Sequence, residues 1–149
     1  MAQSLTGFDC SVASSSHICD RHSCNSKSLS VISFNMHGFN QGNHVVNELI
    51  DKLAPDIFLL QEHWLTPANL NRIVDAFPDY VGFGKSGMGM AVEAGPVLGR
   101  PYGGVMTLVK NELSKMTNVI NVADRYVLLQ IGDHVILNIY LPCSGTADQ

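Results

Sequence analysis

Charge is scarce in this chain. Asp, Glu, Lys and Arg make up 15% of its 149 residues, and acids outnumber bases to leave a formal net charge of −4. Such a chain has no general attraction for nucleic acid or anionic membranes, so a phosphate-rich ligand has to be drawn by local geometry or by a metal ion. Long apolar runs are lacking too. None approaches the roughly 20 residues of a membrane-spanning helix, and no membrane partner is expected. The opening stretch MAQSLTGFDCSVASSS has neither a basic start nor an apolar block, which argues against a secretory signal. Without such a signal, Cys10, Cys19, Cys24 and Cys143 are not expected to build a disulfide framework. Internal repeats are absent.

What is present is a hydrophobic content of 46%, enough for one globular domain with a real core. Residues 1–28 read as a flexible Ser- and Cys-rich leader, and 29–149 as the domain. The leader holds HICDRHSC, in which His17, Cys19, His22 and Cys24 are zinc-ligand types. A structural zinc site normally joins two ligand pairs across an intervening loop or helix, and no second pair follows. A tail without zinc is the expectation.

An apolar strand over Leu29–Phe34 breaks at Gly38. HVVNELIDKLAP then has Val45, Leu49 and Leu53 at helical spacing, with Asn43 as a candidate N-cap and Pro55 closing the helix. DIFLLQEHWL holds four apolar residues in a row, suited to a strand buried on both faces. In TPANLNRIVDAFP, Thr66 is the expected cap and Pro67 the first helical residue; Leu70, Ile73, Val74 and Phe77 form one face. The Gly-rich stretch Asp79–Gly104 reads as a short strand and a long mobile loop. GGVMTLVK is another strand. Three apolar runs follow, and Gly132-Asp133 signals a two-residue hairpin between the last two. The order implies a mixed α/β layered fold whose later strands are mostly antiparallel.

The chemistry centres on Glu62. A carboxylate at the carboxyl end of a buried strand sits where open α/β sheets keep their ligands, although a solvated strand end would look the same. His44 and His63 have no matched carboxylate and read as structural.

Four short motifs line up with these elements: SFNMHG, LLQEHWL, PYGGVMTLV and LNIYLPCSG. In this order and spacing they resemble the N-terminal half of the endonuclease/exonuclease/phosphatase superfamily, in particular the endonuclease domains of non-LTR retrotransposons and abasic-site endonucleases. The resemblance runs from about Leu29 to Gly145. It implies an α+β sandwich of two packed sheets with flanking helices in four layers, hydrolysing phosphodiesters of DNA with Mg²⁺ or Mn²⁺. By the same resemblance Glu62 is the metal ligand, Asn35 orients carboxylate and phosphate, and Tyr140 contacts the scissile phosphate. Gln61 precedes the ligand, while Arg100 and Tyr102 fall on a DNA-facing loop. The corresponding alternatives are a strand-end Asn35 bonding its own turn and an ordinary strand Tyr140.

Two positions depart from the family pattern. His37 stands where Asp or Asn is common, and Cys143 where Asn follows the Tyr-x-Pro segment. The family's second half supplies a Gly-Asp-x-Asn and a Ser-Asp-His segment. Gly132-Asp133-His134 mimics them only superficially, since it precedes Tyr140 and sits in a hairpin turn. The resemblance therefore implies a truncated, inactive fragment of a retroelement-type endonuclease, with weak metal binding. On the full-length polypeptide a reverse transcriptase region would follow, and a retroelement origin would place the protein in the nucleus. The alternatives are a superfamily phosphatase and a non-catalytic binding remnant. A sandwich deprived of its second half is expected to expose the inner face of its first sheet.

Overall fold

The structure, a computed structural model, describes residues 28–96 and 99–141. The leader, its Cys/His cluster and Cys143 lie outside the described residues. Strand β1 (Val31–Asn35) leads through helix α1 (Phe39–Leu53) into β2 (Ile57–Gln61). A 3₁₀ turn over Pro67–Asn69 and helix α2 (Asn71–Ala76) precede β3 (Tyr80–Lys85), α3 (Gly89–Ala94), β4 (Val105–Lys110) and the single turn α4 (Asn111–Ser114). Strands β5 (Thr117–Ala123), β6 (Tyr126–Ile131) and β7 (His134–Ile139) complete the described fold.

Two sheets result. One has the order β1-β2-β4-β3, with β1 and β2 parallel and β4 antiparallel to both β2 and β3. The other is an antiparallel β5-β6-β7 meander with the expected turn at Gly132-Asp133, where Ile131 pairs with His134. The mixed α+β sandwich follows from the period-2 placement of side chains. Along β2, Phe58 and Leu60 face a core with Val46 of α1, Ile73 of α2, and Phe77. Ile57 and Leu59 face the gap between the sheets, where Val105 and Val109 meet Val127, Leu129 and Ile131.

Several expectations are corrected. Helix α1 starts at Phe39, so Asn43 lies inside it and caps nothing. The start is set by backbone anchors: Gly38 and Phe39 donate their N–H groups to the carbonyls of Glu62 and His63, both at 2.8 Å. Gly38 makes this possible with φ +98. The buried stripe of α1 is accordingly Phe39, Gly42 and Val46, and Leu53 is 62% exposed. Thr66 occupies the N-cap position of the 3₁₀ turn, but its hydroxyl bonds the Asn69 side chain instead of a backbone N–H. Val74 is exposed while Ile73 and Phe77 are buried, because α2 is only six residues long. The stretch read as a loop contains α3.

The inner face of the first sheet is covered, by the second sheet. It is the outer face of the second sheet that meets solvent: Val135, Leu137, Ile139 and Leu141 are 47–71% exposed. Among the described residues, three layers are seen: helices, sheet, sheet.

Candidate functional site

The carboxyl end of β2 is where both sheets and three loops meet. Register places Asn35 beside Gln61, one residue before Glu62. Gln61 continues the face of Ile57 and Leu59, so its amide enters the gap between the sheets. There it donates to Asn138 Oδ1 of β7 at 2.8 Å. Asn138 is buried, and its own amide donates to the carbonyls of Leu60 (3.2 Å) and Met106 (3.1 Å) and to Thr107 Oγ1 (3.3 Å). A fully bonded polar residue thus fixes the height of β7 against the first sheet. Two residues on, on the same face, Tyr140 donates its hydroxyl to Glu62 Oε1.

Glu62 itself sits at φ +53, in the left-handed region that non-glycine residues enter at a cost. Its N–H donates to the Gly104 carbonyl at 2.9 Å, and its carbonyl accepts from Gly38. His37 (φ +48) and Trp64 (φ +53) are also left-handed, so three such residues lie in the two loops at this end of the sheet. Gly104 backs the site closely: a Cβ there would stand 2.3 Å from the His63 ring.

The second oxygen of the carboxylate, Oε2, lies 3.6 Å from His37 Nδ1. Asn35 Oδ1 accepts the His37 N–H at 3.0 Å. The structure therefore brings Glu62 and Tyr140 into direct contact, with Asn35 one step removed through the His37 backbone.

Beside Glu62 an open groove of about 330 Å³ runs past His37 and Trp64 to Arg72 and Arg100. Arg100 is on its wall; Tyr102 is 53% exposed and does not line it. Arg72 is held over the Phe39 ring at 4.9 Å and donates to Asn40 Oδ1 at 2.9 Å. Neither Asn138 nor Arg72 was singled out in the sequence. Asn138 had one signal, a polar residue on the same face of a strand as Tyr140. Arg72, on an exposed helix face, had none.

His63 is a structural histidine. Its ring is fully buried; Nδ1 accepts the Leu65 N–H at 3.0 Å and Nε2 pairs with the Lys85 carbonyl at 3.1 Å. Both nitrogens are used in the neutral form, and burial lowers the pKa from 6.5 to about 4, against a smaller opposing effect of the Lys85 carbonyl. The unfolded chain takes up this proton at higher pH than the folded one. The stabilisation is thus complete above about pH 6.5 and drains away toward pH 4, a loss on the order of 3 kcal/mol. Thermal melts at pH 7.5 and 5 are expected to show it. In His63→Gln the melting temperature should be lower at pH 7.5 and nearly flat across this window; an unchanged slope would refute the assignment.

Among the described residues no group of three or more His, Cys, Asp or Glu side chains is placed to hold a metal ion. Glu62 still offers a carboxylate whose side chain is only 16% exposed, pinned on one oxygen and open on the other. That donor set fits an ion needing one protein carboxylate and otherwise water and phosphate oxygens.

Comparison with solved structures gives the fold. A 3′ phosphatase, NExo, from Neisseria, bound to a product DNA hairpin, matches at a TM-score of 0.53 and 14% identity, covering 76% of this chain and 41% of that one. An AP endonuclease from Archaeoglobus fulgidus matches at 0.54 and 17%, covering 77% and 42%. The AP endonuclease LMAP from Leishmania major matches at 0.53 and 16%, covering 76% and 40%. The chain thus spans about two fifths of each of these structures. No curated protein gives a significant match. The model of the Endonuclease/Exonuclease/phosphatase family matches residues 32–144, most of the chain, and the chain belongs to that family.

Proposed function

We propose that this chain forms the metal- and phosphate-holding half of a DNA-directed phosphodiesterase of retroelement type, and that by itself it binds without turning over. The observation that carries the reading is the contact of the Tyr140 hydroxyl with Glu62, made between different sheets by residues 78 apart in sequence. Glu62 is the residue that would hold Mg²⁺ or Mn²⁺, which when bound polarises a phosphoryl oxygen and stabilises charge on the leaving group. Tyr140 donates a proton-bearing hydroxyl toward the same point, where a phosphate oxygen can replace the carboxylate as acceptor. Asn35 holds the loop that carries His37. Arg72 and Arg100 supply positive charge along the adjoining groove in a chain that is acidic overall.

DNA as substrate draws support from the relatives of this fold: one is a 3′ phosphatase seen with a DNA product, two are AP endonucleases. The non-catalytic half of the proposal rests on the donor count. Among the described residues His37 is the one group in ion-pair range of Glu62, and no cluster of three or more His, Cys, Asp or Glu side chains is placed to hold an ion.

Calorimetric titration with Mg²⁺ and Mn²⁺ tests the reading. Binding should be weak, since water fills most positions of an ion held by one carboxylate. It should vanish in Glu62→Ala. Tight binding that survives that substitution would place the site elsewhere and overturn the reading.

A further inference from the structure

The neighbour that faces the open oxygen of Glu62 is an imidazole. His37 Nδ1 lies 3.6 Å from Oε2, and its side chain is 73% exposed while that of Glu62 is 16% exposed. An exposed histidine would ordinarily wander, but three features hold this one. Its backbone is turned to φ +48, its N–H is bound to Asn35 Oδ1 at 3.0 Å, and its ring packs on Trp64 with centroids 4.8 Å apart. Trp64 is in turn seated on Gly38, where a Cβ would stand 2.7 Å from the indole. A loop built this way keeps a nitrogen donor beside a carboxylate.

We propose that His37 and Glu62 together form a mixed nitrogen–oxygen site that takes Mn²⁺, Co²⁺ or Zn²⁺ in preference to Mg²⁺. The proposal rests on the reading of Glu62 as the metal-holding residue. Geometry allows it: donors each roughly 2.0–2.2 Å from one ion can be up to about 4.3 Å apart, and these two are within that span. Chemistry favours it, because imidazole suits the later first-row divalent ions while Mg²⁺ takes oxygen ligands and sheds its waters reluctantly. The ring is also free to make the small adjustment needed, being exposed on its outer side. Without the ion the pair is a long contact of little energetic value, so the pairing itself does little for the loop, which the backbone bonds at Gly38 and Phe39 already anchor.

The test uses the full chain with Cys10, Cys19, Cys24 and Cys143 replaced by serine, which removes the thiolates that would otherwise compete for Zn²⁺. Imidazole ¹⁵N resonances are followed by NMR during separate titrations with ZnCl₂ and MgCl₂, and His37 is assigned by its loss in His37→Asn. Asparagine tolerates a positive φ, so that variant is expected to keep the loop, and Trp64 fluorescence checks that it does. Zn²⁺ should shift the His37 ring nitrogens and Mg²⁺ should not. His37→Asn should weaken Zn²⁺ binding at Glu62 by at least about tenfold, the lower bound for groups that merely orient a ligand, and leave Mg²⁺ binding nearly unchanged. If Zn²⁺ binding is lost in Glu62→Gln but leaves His37 unshifted, the carboxylate acts alone and the mixed site is refuted while the reading of Glu62 stands. If Glu62→Gln leaves Zn²⁺ and Mg²⁺ binding intact, both fall together.

Discussion

In a plasmid-nicking assay with Mg²⁺ the 149-residue chain is expected to leave supercoiled DNA intact. Glu62 can hold an ion beside a phosphate and Tyr140 can bond that phosphate, but a nucleophilic water also needs orientation and a proton acceptor. Proton transfer by a placed side chain commonly contributes roughly 10²–10⁴-fold, and lost positioning multiplies the deficit. Of the groups that contact the Glu62 carboxylate, His37 faces it and Tyr140 donates to it, so both are engaged with the carboxylate itself. Net charge −4 removes the nonspecific attraction that would hold DNA against the groove. An extended chain that supplies Gly-Asp-x-Asn and Ser-Asp-His segments should nick, and Glu62→Ala should abolish that activity again. Nicking by the short chain that disappears in Glu62→Ala would show that the catalytic set is smaller than proposed.

The second large effect is expected from Asn138→Leu. The replacement keeps the branched shape, in a somewhat larger side chain, and removes every hydrogen bond of a buried amide. It leaves Gln61 Nε2 without its Asn138 acceptor and strips a donor from the carbonyls of Leu60 and Met106. Buried polar groups left unsatisfied cost about 1–3 kcal/mol each, so a loss of roughly 2–4 kcal/mol and a melting temperature lower by on the order of 10 °C are expected. Gln130→Leu, on the exposed face of the neighbouring strand, should stay within about 0.5 kcal/mol of the parent. Metal affinity should fall in Asn138→Leu as well, since Tyr140 lies two residues further along the same strand face. Equal melting temperatures for the two variants would show that Asn138 does not tie the sheets.

The legible parts of this fold were those governed by local period and turn chemistry. Ile57–Leu60 announce a strand buried on both faces, and Gly132-Asp133 a hairpin, because each pattern is decided within a few residues. Where tertiary contacts decide, the reading failed. Asn43 is a good cap by its chemistry, but helix α1 begins where the His63 and Glu62 carbonyls capture the chain at Phe39 and Gly38. The glycines around Met88 and Met90 suggested a loop, yet a two-turn helix forms there. The three left-handed residues, His37, Glu62 and Trp64, could not be read at all; the surrounding hydrogen bonds, and not the residue types, impose that conformation. Among the site residues, Asn35, Glu62 and Tyr140 were reached through strand ends and family resemblance. The Gln61–Asn138 link required knowing which faces of two distant strands oppose each other.

Trp64 is the sole tryptophan of the chain, and its indole lies between Gly38 and His37 on the wall of the groove. Emission excited beyond the absorption of the four tyrosines therefore originates at one address. An ion that draws the His37 ring away, or a nucleobase that enters and stacks, alters the surroundings of the only strong fluorophore, whereas loosening of the distant hairpin at Gly132 leaves its emission unchanged. The molecule comes with a built-in optical probe of its own groove. Ligand screening can proceed by intrinsic fluorescence with no dye attached, and a change in signal reports a change at the groove.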